Sequence, residues 1–128
     1  MAEPPAPRGL DPIQEGIRLF NERYFFEAHE VLEDLWRLER GEPRLFLQGL
    51  IQICAAYHHF QNGNRAGAVT LLQRGADKMR GYPPRYVGIH AAELIAHIDE
   101  DRKRIERMET RAEPEAPWSF PRIEREVE

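Results

Sequence analysis

The chain has 128 residues, 41% hydrophobic and 31% charged, with 18 Lys and Arg against 22 Asp and Glu for a formal charge of −4. This length suits one domain with one core, and this composition is not that of a disordered chain. Arg102, Lys103 and Arg104 are interleaved with Glu100, Asp101 and Glu106, so no net positive face is offered to nucleic acid or to an anionic membrane.

Residues 1–10 hold three prolines and a glycine and read as a flexible lead-in. They contain neither a basic n-region nor an apolar h-region, which points to a cytoplasmic protein. Asp11-Pro12 reads as an N-cap and a first-turn proline. The helix they open carries Ile13, Ile17 and Phe20 as its apolar stripe. After a break near 21–23, a second helix is predicted from about Tyr24 to Glu39, ended by Gly41. Pro43 starts a third, running to about Gln61. Asn62-Gly63-Asn64 is a turn, and a fourth helix follows from about Arg65 to Arg80. Gly81-Tyr82-Pro83-Pro84 is a rigid connector to a fifth helix from about Val87 to Met108.

The helical domain is thus expected over 11–109. Residues 110–128, rich in Pro and Glu, form an extended or mobile tail that Trp118 and Phe120 could strap to the body. No segment shows sustained strand alternation. The longest apolar-rich stretch, Leu45 to Phe60, carries Gln48, Gln52 and two histidines and is too short and polar to span a bilayer. Cys54, the single cysteine, reads as a small buried hydrophobe among Ile53, Ala55 and Ala56.

A forty-residue shift sets Phe20 on Phe60, Ala28 on Ala68, Val31 on Leu71 and Leu32 on Leu72. The fold expected is all-α, a compact array of about five helices in which two helical hairpins stack with weak tetratricopeptide-like character. Chance likeness between two amphipathic hairpins would give the same correspondence, so both origins stay open.

On a helical wheel the second helix turns Tyr24, Phe25, Ala28, Leu32, Leu35 and Trp36 to the core, and Glu27, Glu30 and Asp34 away from it. His29 and Glu33 sit one turn apart on the border, bracketed by Phe25, Phe26 and Trp36. The third helix is apolar around most of its circumference and is therefore central. Its exception is a stripe of Gln48, Gln52 and His59, with Arg44 and Asn62 at the ends. Neutral amides and an imidazole suit a half-buried hydrogen-bonded site better than a solvent face. Gly49 and Ala56 beside the stripe, and Gly75 in the fourth helix, would let helices approach closely.

Packed as a hairpin, the two helices would bring His29 and Glu33 to Gln48, Gln52 and His59, a polar pocket in an aromatic wall. Three readings follow. One is a ligand- or protein-binding site without catalysis. Another is a divalent metal on His29, Glu33 and His59, or a Glu–His acid–base pair serving a hydrolytic enzyme. The third is a satisfied network that only fixes helix register, in a structural or oligomeric protein.

His29-Glu30-Val31-Leu32-Glu33 is similar to the zinc-protease H-E-x-x-H helix with its second His replaced, but Glu30 points away and no third ligand is evident. His90, Glu93 and His97 read as a solvated face of the fifth helix, and His58 as a helix-edge residue. P-loop, G-x-G-x-x-G, G-x-S-x-G and Cys-x-x-Cys signatures are absent from the sequence.

Phe20-Asn21, Glu27-Ala28-His29-Glu30, Glu33, Trp36, Phe46, Gln48-Gly49-Leu50-Ile51-Gln52, Asn64 and Gly67-Ala68 together resemble the family catalogued as domain of unknown function 309. The resemblance covers roughly residues 10–100, and the connector Tyr82-Pro83 with Tyr86-x-Gly88 fits it. It implies a compact all-α fold and no established activity. Its motif marks Glu27, His29, Glu30, Glu33, Trp36, Gln48 and Gln52. The function expected is a non-catalytic binding module with a protein or small-molecule partner, neither nucleic acid nor membrane, and with self-association left open. Phe26 and Trp36 would wall the site, with no cofactor evident beyond that divalent metal.

Overall fold

The computed structural model describes residues 11–108 and 118–126; the lead-in expected over 1–10, residue 109 at the expected domain end, and the tail residues 110–117 and 127–128 lie outside them. Helices α1 (Pro12–Asn21) and α2 (Phe25–Leu38) form one hairpin, and α3 (Pro43–Gln61) and α4 (Arg65–Met79) a second. A ribbon of β1 (Arg85–Tyr86) and β2 (Ile89–His90) precedes α5 (Ala91–Arg107). The compact five-helix array is the one expected from the sequence. Among the described residues no helix is long and apolar enough to cross a membrane.

The forty-residue correspondence is a correspondence of backbone geometry. α1 ends at Asn21 and α3 at Gln61, while α2 begins at Phe25 and α4 at Arg65. The turns between them are closed by the same bonds. Tyr24 N–H donates to Leu19 C=O at 2.9 Å, and Asn64 N–H to His59 C=O at 2.8 Å. Arg23 N–H donates to Phe20 C=O, and Gly63 N–H to Phe60 C=O. Both middle residues are left-handed, Arg23 at φ 69° and Gly63 at φ 80°. Ala28 and Leu32 are buried in α2, and so are Ala68 and Leu72 in α4.

α3 occupies the middle of the array. Leu50, Ile53, Cys54, Ala56 and Tyr57 are fully buried, which accounts for the apolar circumference of its sequence. α2 and α4 both pack on it, and α5 lies against α4. The α3–α4 approach is set by Gly49 and Gly75, as their placement suggests. A Cβ on either would stand 2.7 Å from the other's carbonyl oxygen. Arg80 ties α4 to α5 through two bonds to Asp99, 2.9 and 2.6 Å.

The fifth helix starts at Ala91 rather than near Val87, because residues 85–90 form the ribbon. Val87 at φ 44° and Gly88 at φ 80° make a two-residue turn with both centres left-handed, the geometry that matches strand twist in tight hairpins. Strands of two residues are too short to leave an alternation in the sequence. Residues 118–126 run extended over the body, with Trp118, Pro121 and Ile123 buried. Arg125 forms an antiparallel bridge to Ile89.

Candidate functional site

Two contacts fix the register of the antiparallel pair α2/α3. The Arg44 guanidinium lies 4.0 Å over the Trp36 ring near the connecting turn. At the other end the Phe26 and His58 rings are 5.2 Å apart. His29 and Glu33 lie on α2, and Gln48 and Gln52 on α3, between these two contacts in the chain. Arg44 also donates to the C=O groups of Trp36 and Glu39, at 2.6 and 2.8 Å, and so closes the C-terminal end of α2.

His29 Nε2 is 3.1 Å from Glu33 Oε2, and Arg37 Nη2 is 2.5 Å from Glu33 Oε1. The His29 and Glu33 side chains are 26% and 32% exposed, half-buried on the border as the wheel places them. When His29 donates its Nε2 proton to Glu33, Nδ1 is left as an acceptor. That Nδ1 is buried with no hydrogen-bond partner in the protein, and so are Trp36 Nε1 and Gln52 Oε1. The face therefore holds two acceptors and one donor to spare. Leaving such a group unpaired costs about 1–3 kcal/mol.

Gln48, Gln52 and His59 are all half-buried, and Trp36 is too. Phe26 is 46% exposed and lies with its ring 5.7 Å from His29, as an outer cover rather than an inner wall. Glu30 faces solvent, as expected. Glu27 is half-buried instead of turned fully away. His59 does not complete a ligand set: among the described residues no three of His, Cys, Asp and Glu gather to hold a metal ion. Its Nδ1 is 3.3 Å from Asn64 Nδ2, at the α3–α4 turn. The histidine across Phe26 from His29 is instead His58, a helix-edge residue by its sequence.

A second polar cluster is not visible in the sequence. Tyr57 donates its hydroxyl proton to Asp101 Oδ2 at 2.6 Å, inside the core. His97 Nε2 approaches the same oxygen at 3.4 Å. Asp101 is 1% exposed. Burial raises its carboxyl above the ordinary value, against the Tyr57 bond and the His97 and Arg104 charges. Burial, with Asp101 beside it, also holds the Tyr57 phenol well above its usual range. Asp101 stands in an unbroken run of charged residues, 99–104, so nothing in composition separates it from its solvated neighbours. The i, i+4 spacing from His97 is the one available signal. His90 and Glu93 stand 3.7 Å apart, Glu93 exposed.

The strings that build the α2/α3 face, E-A-H-E and Q-G-L-I-Q, fall within one family match. Residues 13–71 match the family model described as Domain of unknown function (DUF309). The DUF309 match takes in α1 to α3 and the first half of α4. It is shorter than the roughly 10–100 that the motif resemblance covers and leaves the Tyr82–Gly88 connector outside. An uncharacterized protein of Aquifex aeolicus (strain VF5) is 29% identical over 94 residues, 73% of this chain and 28% of that protein. Uncharacterized protein YpuF of Bacillus subtilis (strain 168) is 37% identical over 51 residues, 39% of this chain and 29% of that protein. The matched part of this chain thus spans less than a third of either relative.

Proposed function

We propose that this protein is a non-catalytic binding module whose site lies between α2 and α3. Its groups are His29, Glu33, Trp36 and Gln52, with Gln48 beside them, and its partner is a protein or small molecule in the cytoplasm. The observation that carries the reading is the set of three unpaired polar atoms on this one helix pair, His29 Nδ1, Trp36 Nε1 and Gln52 Oε1. A network that served only to fix register would close on itself, since buried polar groups are nearly always paired. Here the atoms call for a ligand with an N–H or O–H for His29 and Gln52 and an oxygen for Trp36, as an amide has. Phe26 is the cover that moves aside, and Glu33 between His29 and Arg37 is the charged handle.

The test is a thermal-shift screen of small amides and short peptides on the wild type beside His29→Ala and Gln52→Leu. A ligand at 100 times its Kd stabilises the folded state by about 2.7 kcal/mol. The reading expects a ligand that raises the wild-type Tm and leaves both variants where they were. Ligands that shift all three alike would place the site elsewhere.

Self-association is a second reading, favoured by the exposure of Leu38 (81%) and Leu45 (49%) on either side of the α2–α3 turn. A molecular mass that stays monomeric across a hundredfold range of concentration removes it. The metal or acid–base reading keeps the His29–Glu33 pair and has no third ligand among the described residues.

A further inference from the structure

Segment 118–126 meets the body in the way a bound peptide meets a receptor. Its main chain is read along residues 123–126. The Asn21 side chain accepts from Ile123 N–H at 2.8 Å and donates to Ile123 C=O at 3.1 Å. One carboxamide at the end of α1 thus satisfies both backbone groups of a single residue, whatever that residue's side chain. Further on, His90 N–H donates to Glu124 C=O at 3.0 Å, and Glu126 N–H to Gly88 C=O at 2.8 Å. These bonds pair the segment with β2 through one antiparallel bridge, Arg125 to Ile89. Gly88 is what allows it, since a Cβ there would stand 2.1 Å from Glu126 C=O.

Its side chains enter separate places. The Phe120 ring sits 5.1 Å from Phe25 and 5.6 Å from Tyr57, and the Trp118 ring 4.6 Å from Phe60. Pro121 and Ile123 are buried, while Ser119, Arg122 and Glu124 between them face solvent. Arg125 reaches Asp11 at 3.0 Å and Val87 C=O at 2.9 Å. Main-chain bonds along an edge with pockets for alternate side chains are the recognition mode of strand addition.

We propose that the groove lined by Asn21 of α1, Phe25 of α2, Tyr57 and Phe60 of α3 and the ribbon is a peptide-binding groove, which this chain fills with its own segment 118–126. Its trans ligand is an extended segment of a partner protein with the same pattern: an aromatic residue, a spacer, Phe-Pro, a spacer, a β-branched residue, a spacer and Arg. The tethered segment acts as a competitor, because a short tether sets an effective concentration on the order of millimolar. A partner therefore binds only by displacing it. This site uses none of His29, Glu33, Trp36, Gln48 or Gln52, and its test does not depend on that reading.

The test uses the full chain and a fluorescein-labelled nine-residue peptide with the sequence of residues 118–126. The double variant Phe120→Ala/Ile123→Ala loosens the tethered segment without touching the groove. It binds the peptide saturably in fluorescence polarisation, at least ten times more tightly than the wild type does. Asn21→Leu added to that variant lowers the affinity at least tenfold. No binding by a double variant that keeps its helical circular dichroism overturns the proposal. So does a wild-type segment that passes between copies to give a dimer, which would make the occupant a second copy rather than a partner. Should the double variant not fold, hydrogen exchange on the unmodified protein decides. The Ile123 and Glu126 amides exchange at least ten times faster than those of Leu50 and Ile53 if the segment detaches by itself. Exchange of all four together overturns the proposal.

Discussion

Gly49 and Gly75 hold α3 and α4 together by what each lacks: a Cβ on either would lie 2.7 Å from the other's carbonyl oxygen. Backbone cannot yield as a flexible side chain does, so the helices would have to part along their whole contact. Gly49→Ala and Gly75→Ala are each expected to destabilise the protein by about 2 kcal/mol, against a helix propensity that alone favours alanine by about 1 kcal/mol. The double variant loses less than the sum, since a crossing opened once is open for both. Urea midpoints with an unchanged m-value measure this. A Gly75→Ala protein as stable as the wild type would refute the close crossing.

The turns carry the next prediction. Gly63 is at φ 80°, and a Cβ added there would meet nothing within 4 Å, so alanine at this position brings backbone strain and no clash. Gly63→Ala is expected to lose about 1 kcal/mol. Gly81, which also has open space but no positive φ, serves as the control. Gly81→Ala gains about 0.4–1 kcal/mol by narrowing the unfolded ensemble. Equal effects from the two substitutions would count against the left-handed turn.

Helices are legible where their ends are written in local chemistry. Asp11 does accept from Gln14 N–H at 2.8 Å, and the Asn64 side chain from Gly67 N–H at 2.9 Å. Pro43 and Gln61 bound α3 as the sequence indicates. The ribbon is not legible, because Val87 has no business at positive φ by residue type and is held there by tertiary bonds, Arg125 Nε to its C=O among them. At the candidate site the wheel places His29 and Glu33 correctly, since their spacing is intrahelical. It does not show that His58 is the histidine beside Phe26, because that contact is set by the approach of two helices. Asp101 is hidden for a related reason: its partner in the core, Tyr57, lies 44 residues away in the sequence.

Gln52 offers a test of whether the α2/α3 face is held at a cost to stability. Its Oε1 is buried and unpaired, so Gln52→Leu removes an unsatisfied acceptor and keeps nearly the same volume. The variant is expected to match the wild type or exceed it by up to about 1 kcal/mol. It should at the same time lose any ligand-induced shift. A loss of about 2 kcal/mol or more would mean a closed structural network at Gln52.

Asp101 gives the pH dependence. Its carboxyl, ordinarily at 3.8, is raised in the folded protein, chiefly by burial. The folded state then holds that proton more tightly than the unfolded chain does. Between 3.8 and the raised value the folded protein carries more protons, so this group's contribution to stability falls as pH rises and levels off above. Asp101→Asn cannot ionise and keeps an oxygen for the Tyr57 hydroxyl. Its stability relative to the wild type should therefore improve as pH rises from about 3 to about 7, whatever the offset at the acid end. Paired thermal melts across that range follow the difference, in which the other carboxylates cancel to first order. A variant that loses ground as pH rises would mean that the Tyr57 bond and the His97 and Arg104 charges outweigh burial, and that Asp101 is held in the core as the anion.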